Sequence, residues 1–340
     1  MKITSNKTWP LPLLFLAAAI QLAAQTPIHT NPGPGLLLVA NQGDHTLSIL
    51  DPDAGTIVAK VTSPEIRGHE VTASPDGKLA YLPIYGNSGV GLPGTDGSNI
   101  EVIDLATHTI VSTMGLGHPV RPHWVRFGPD GLLYVSAELD NSVDVIDPKL
   151  QKVIGAIPTG QAESHMVAMT KDGKHAYTSN VGSGTVSVLD LSSRKLVTMI
   201  PVAQTIQRIA LSVDDKSAFT ADQKQPRLAV IDTGANKVSQ WIDLPSLGYG
   251  TAPTPDGKWL LVTMPAANQL AVVDLKEMKV ARTLTVPAHP GEVLMRPDLP
   301  IAYVSCSGDG KVAVIDTKEW RVIKVLDSGP GADGLAWAKN

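Results

Sequence analysis

From Leu36 onward the chain alternates short apolar runs with polar turns, and the runs recur. The pattern apolar, any, apolar, apolar, Asp stands as LSILD, IEVID, VDVID, VSVLD, LAVID, LAVVD and VAVID, ending at Asp51, Asp104, Asp147, Asp190, Asp232, Asp274 and Asp316. The intervals are 53, 43, 43, 42, 42 and 42 residues, and a period this constant marks a repeat architecture. Upstream in the units stand the turn tetrapeptides SPDG (Ser74–Gly77), GPDG (Gly128–Gly131), TKDG (Thr170–Gly173) and TPDG (Thr254–Gly257), with degenerate forms at Val213–Lys216 and Arg296–Leu299. Asp and Gly there meet the backbone demands of a tight hairpin. Nothing in the repeat has the 3.6 period of a helix, so each unit reads as four short strands. In the fourth unit they are placed near His165–Thr170, His175–Asn180, Thr185–Asp190 and Lys195–Pro201.

Four strands in about 42 residues is the signature of a β-propeller blade. The repeats open on what reads as a second strand (Leu36–Asn41) and end on what reads as a first strand (Gly334–Ala338, GLAWA). The expectation is an all-β chain with one seven-bladed propeller of four-stranded blades over residues 35–338. Its C-terminal strand completes the first blade and so removes a free sheet edge.

Ahead of the repeats, Lys2 and Lys7 without any acid precede an apolar run from Leu11 to Ala24 that ends in small residues. This predicts a signal peptide over 1–24 and a linker over 25–34. The run falls short of the roughly 20 residues a spanning helix needs, so a periplasmic or secreted protein with no membrane span after cleavage is expected.

Composition narrows the chemistry. With 43% hydrophobic and 18% charged residues, 30 Gly and 26 Pro, the chain is too apolar for disorder and too punctuated for a helical bundle. Lys and Arg number 28 against 32 Asp and Glu, a net charge of −4. There is no basic excess to hold a phosphate backbone, which argues against nucleic acid as a partner. The single cysteine, Cys306, cannot form an internal disulfide or a Cys-based metal site, so any metal would need His, Asp or Glu. Nucleophile-elbow, P-loop, HEXXH, haem-attachment and EF-hand motifs are absent from the sequence.

The strings AYTSN (Ala176–Asn180) and AYVSC (Ala302–Cys306), followed by the Asp-ended strand and preceded by the hairpin turn, resemble the YVTN repeat of bacterial and archaeal extracytoplasmic propellers. The YncE-like proteins belong to that group. The resemblance covers about residues 35–338 and implies a seven-bladed fold, not an activity. The ring of aspartates from Asp51 to Asp316 is expected to be blade architecture, and Trp124, Trp241, Trp259, Trp320 and Trp337 to fill gaps between blades.

Candidate chemistry emerges where the repeats differ. Seven residues before the turn Asp stand His69, His123, His165, Gln207, Tyr249 and Gly291, and strand alignment adds Asp333 for the closing blade. In a propeller the first strand of each blade lines the central channel, so neighbouring blades offer Asp333, His69, His123 and His165 at its mouth. Imidazole and carboxylate suit a single transition-metal ion, and these four are the expected metal ligands. Glu70, Arg121, Glu163, Arg208 and Glu292 flank the same level, and His289 lies two residues before a ring position. The first interval carries an extra Gly-rich stretch between Ile84 and Ile100, placed on the same face. Against this stands simple inheritance of histidine by repeat duplication. Alternation along a strand also leaves the side-chain direction open.

PHWV (Pro122–Val125) and SHMV (Ser164–Val167) are similar to the first strands of the seven-bladed lactonase propellers, which include phosphogluconolactonase and muconate-cyclising enzymes. That resemblance implies that Arg121, His123, Glu163, His165 and Arg208 bind or hydrolyse a carboxylated lactone. Two functions are therefore expected: a monomeric module binding a protein partner or small ligand through the His-bearing mouth, with or without a metal, or a lactonase-like hydrolase or lyase using the same face.

Overall fold

The computed structural model describes Met1 and residues 35–339. The expected leader and the linker lie outside the described residues.

Seven antiparallel sheets of four strands form one seven-bladed β-propeller. Blade 1 is the composite: its inner strand Ala332–Lys339 pairs with Gly35–Asn41, with Leu38 opposite Ala336. The first and last described strands are thus hydrogen-bonded to each other, and the ring closes without an open edge at that joint. In blade 4 the strands are Ser164–Met169, His175–Asn180, Thr185–Asp190 and Lys195–Pro201; three match the expected placement and the innermost begins and ends one residue earlier.

Second and third strands are buried on both faces because each sheet is sandwiched between two others, whereas fourth strands alternate exposed and half-buried positions. The core is therefore a set of clusters between blades. One joins Trp124 of blade 3, Val167 and Tyr177 of blade 4 and Ala218 of blade 5; another joins Leu37 of blade 1 to Tyr303 of blade 7. Trp259 meets Trp320 edge-on at 5.5 Å and Trp337 stacks on Tyr303 at 6.1 Å, so these three do fill inter-blade space. Trp241 instead sits on an outer strand under the Arg227 guanidinium, 3.9 Å away.

The repeated aspartates are architectural. Asp51 Oδ1 accepts from the backbone N–H groups of Asp53 and Ala54. Asp104, Asp147, Asp232, Asp274 and Asp316 repeat this in their own turns. In the degenerate turn of blade 5, Asp215 takes the left-handed conformation (φ 59°) that glycine supplies at Gly77, Gly131, Gly173 and Gly257. Asp tolerates that region better than most residues.

Candidate functional site at the channel mouth

The inner strands are irregular where they reach the mouth. In blades 1, 3, 4 and 7 the pairing of the inner with the second strand slips, between Val39 and Asn41, Pro122 and Val125, Ser164 and Met166, and Pro290 and Val293. These slips fall at Asp333, His123, His165 and Gly291. A β-bulge breaks the strict alternation of side chains and re-aims them, which is the physical answer to the direction that strand alternation left open.

Backbone groups of the inner strands at this level are satisfied by hydroxyls from second strands. Ser136 Oγ accepts from Trp124 N (2.9 Å) and donates to the His165 carbonyl of the next blade (2.8 Å). Thr263 Oγ1 accepts from Gly250 N and donates to Gly291 O, both at 2.7 Å. Ser305 Oγ accepts from Glu292 N, and Ser179 donates to Gln207 O. The Ser or Thr of the AYTSN and AYVSC strings is therefore a buried stitch that holds ring residues in place across blades.

All seven ring positions, His69, His123, His165, Gln207, Tyr249, Gly291 and Asp333, line one cavity of about 460 Å³. The inserted segment contributes Val90 to its wall, and His289 also lines it. His69 lies 4.3 Å from the Tyr85 ring and 5.1 Å from His123, and His123 packs 3.7 Å from His165, ring centre to ring centre. His69 Nδ1 lies 3.3 Å from the Gln42 amide nitrogen. Burial first, and cationic neighbours second, hold His69 and His123 well below the usual histidine range; both are neutral imidazoles at neutral pH. His69 Nε2 and His123 Nδ1 are buried without a hydrogen-bond partner among the described residues.

One residue deeper the channel is closed by charge. Arg208 Nη2 lies 2.8 Å from Glu70 Oε1 and 3.1 Å from Asp333 Oδ1, and its guanidinium stands 5.1 Å from the centre of the Tyr249 ring. Burial opposes the Arg208 charge, but Glu70, Tyr249 and Asp333 outweigh it and hold the guanidinium cationic. Burial pushes Glu70 up to about 8 and Asp333 up to about 6, in each case against the pull of Arg208. Glu292 anchors the same floor by accepting from the Leu335 amide.

Two expected site residues face elsewhere. Arg121 is buried and donates to Asp96 Oδ1 (2.9 and 2.7 Å) and to the carbonyls of Gly89 (3.3 Å) and Leu92 (3.1 Å). It is a clamp on the inserted segment, its donors spent there rather than on the cavity wall. Glu163 lies against the same segment and against Gly182, so closely that a Cβ at Gly91 would come within 2.7 Å of its carboxylate. Arg121, Glu163 and His289 have φ of 55°, 59° and 59°, each two residues before a ring position, where the chain turns down into the bulged strand.

Glu138 is a site residue that counting back from the turn aspartates does not reach. This residue is 1% exposed, in a 3-10 turn Glu138–Asp140 just after the second strand of blade 3. It accepts from Tyr85 Oη (2.8 Å) and from His165 Nδ1 through a short hydrogen bond. His165 is thereby oriented with Nδ1 inward, while the ring itself lies on the cavity wall. The signal was available: the equivalent place in other units holds Gln42, Gln223, Pro265 and Ser307, all of which line the cavity. Aligning the residue after the second strand shows this upper tier as clearly as aligning the first strands shows the lower one.

The four expected metal ligands share the mouth but do not form a coordination shell. Among the described residues no group of three His, Cys, Asp or Glu side chains is placed to hold a metal ion. Gln42 engages His69, Glu138 engages His165, and Arg208 and Gln42 engage Asp333.

No protein-family model matches the chain, and no curated protein matches it. Solved structures do. The chain is similar to a structure of Kuenenia stuttgartiensis hydrazine synthase at 19% identity with a TM-score of 0.72, covering 86% of this chain and 98% of that one. It is also similar to the dihydro-heme d1 dehydrogenase NirN in complex with DHE, at 16% identity with a TM-score of 0.66, covering 92% of this chain and 77% of that one. At such identities the likeness is one of fold, and a propeller hosts many activities.

Proposed function

We propose that the protein is an exported YVTN-type propeller that binds a small polar ligand in the cavity at its channel mouth. The observation that carries this reading is the convergence of all seven ring positions on one cavity, two of whose lining residues have a buried nitrogen, His69 Nε2 and His123 Nδ1, without a partner among the described residues. A buried polar atom left unpaired costs about 1–3 kcal/mol, and a ligand with matching donors and acceptors recovers that cost. Val90, Leu247, Pro265 and Pro290 give apolar wall, and the volume is that of a small-molecule site. The neutral imidazoles favour a hydroxyl- or amide-bearing ligand. Among the described residues no group of three His, Cys, Asp or Glu side chains is placed to hold a metal ion, so the metal-free form is the one put forward. The N-terminal charge and apolar pattern supports export.

The test is native mass spectrometry of protein recovered from a bacterial periplasm and incubated with a mixture of small polar metabolites, with elemental analysis alongside. A saturable adduct in the wild type that His123→Ala and Gln207→Ala abolish is the expected result. No adduct, or one indifferent to both substitutions, overturns the reading; stoichiometric metal lost in the variants would replace it with the metal-bound form.

One observation favours a second reading, a lactone-directed hydrolase or lyase. The Tyr85–Glu138–His165 relay ends on the cavity wall. A buried carboxylate holding Nδ1–H leaves Nε2 as the atom that takes a proton from water or substrate, the arrangement a general base needs. Turnover on a lactone and polyuronate panel that is lost in His165→Ala and lowered in Glu138→Gln supports it; absence of turnover across the panel sinks it.

A further inference from the structure

Beneath Arg208 lies a second cavity, of about 320 Å³, formed by the inner strands of blades 3 to 7 on the side away from the mouth. Gly250, Ala210 and Ala252 leave the room there. Two of the buried polar atoms without a partner among the described residues, Arg208 Nε and Thr251 Oγ1, belong to residues that line it. The Arg208 side chain is only 4% exposed, and its Nη2 is occupied by Glu70 and Asp333 on the mouth side. Its Nε is therefore a charged donor with no acceptor. Arg126 is on the same wall, 36% exposed, and its only ion pair among the described residues is a loose one, 3.6 Å from Glu292 Oε1, beyond good hydrogen-bond length. Trp124, Met166 and Met295 give the cavity an apolar side, and Glu292 is the one carboxylate in its lining.

We infer that this cavity is a second binding site, for a small monocarboxylate with a short apolar body. A carboxylate oxygen is the acceptor that a guanidinium edge binds best, and the Arg208 Nε edge, Arg126 and the Thr251 hydroxyl give it three donor groups. Glu292 and Asp333 already face these arginines, so a dianion such as phosphate meets more repulsion than a single carboxylate does. The apolar side of the cavity takes the hydrocarbon part, whose burial supplies the non-directional share of the affinity. This inference is independent of the mouth reading, because Arg208 and its carboxylate partners separate the two cavities.

The test is calorimetric titration of the full chain with sodium butyrate at neutral pH, with butyramide as the uncharged control. One equivalent is expected to bind with a Kd on the order of 1 mM, as a ligand of so few atoms allows. Arg126→Met is expected to weaken binding about tenfold, the worth of one charge-assisted hydrogen bond. Thr251→Val, which removes the hydroxyl at constant shape, is expected to weaken it less, while His123→Ala at the mouth leaves it unchanged. Thermal unfolding of each variant verifies folding. Absence of saturable heat overturns the inference, as does butyramide binding as well as butyrate. Indifference to both Arg126→Met and Thr251→Val overturns it too, and loss in His123→Ala would assign butyrate to the mouth cavity instead.

Discussion

Arg208 of blade 5 reaches across the channel to Glu70 of blade 2, with Nη2 2.8 Å from Oε1 and both side chains almost wholly buried. It meets Asp333 of blade 1 in the same reach. The three groups come from opposite parts of the ring, so the pair serves as a strut across the axis as well as the floor of the mouth cavity. At neutral pH the raised Glu70 carboxyl is largely protonated and the charge facing Arg208 is that of Asp333; removing the guanidinium leaves that carboxylate unpaired in low dielectric, at a cost of up to about 3–5 kcal/mol. Arg208→Met is expected to lose stability of that order in chemical denaturation at neutral pH, and Arg208→Met combined with Asp333→Asn to recover much of it. A single variant as stable as wild type would show that the strut carries no load.

The same carboxylates give the fold a pH dependence. Glu70 is raised from 4.5 to about 8 and Asp333 from 3.8 to about 6, burial being the main cause for both. A raised acid binds more protons folded than unfolded, so its contribution is complete below the unfolded value and is lost as pH climbs through the folded one. Stability is expected to fall from about pH 4 to about pH 8 on account of these two groups. Glu70→Gln should remove the upper part of that slope and Asp333→Asn the lower part, read as melting temperature against pH. A wild-type slope that both variants retain would place its origin elsewhere.

Arg121 holds the inserted segment through Asp96 and two carbonyls. Arg121→Ala is expected to raise the rate of limited proteolysis between Asn87 and Thr95 several-fold, with the blade amides as protected from hydrogen exchange as before, because local opening there leaves the sheets paired. Because Val90 forms part of the mouth wall, ligand binding at the mouth should weaken in the same variant. Equal cleavage in both proteins would mean that the segment is held by something other than the clamp.

Cys306 is fully buried, and burial pushes its thiol up to about 12. Thiolate is the reactive form, so iodoacetamide at pH 8 should leave the native protein unlabelled and label it stoichiometrically in denaturant. Rapid native labelling would require an opening that exposes the end of the second strand of blade 7.

The sequence by itself determined the repeat, its count and the closure of the ring, because these depend on local alternation and on turn residues that recur at a fixed interval. The seven ring positions were legible for the same reason: a repeat fixes equivalence, so counting back from each turn Asp finds one tier of the channel. What counting could not decide is which way each side chain faces and what it touches. The bulges at His123 and His165 set the first, and they arise from pairing between strands and from hydroxyls of neighbouring blades. The second depends on groups far apart in the chain. Glu138 behind His165, Arg208 across to Glu70, and Arg121 turned away to Asp96 are decided only when seven independently legible blades close into one ring. Burial then sets a charge's partner and its proton affinity, and burial is a property of the assembled ring that no single repeat contains.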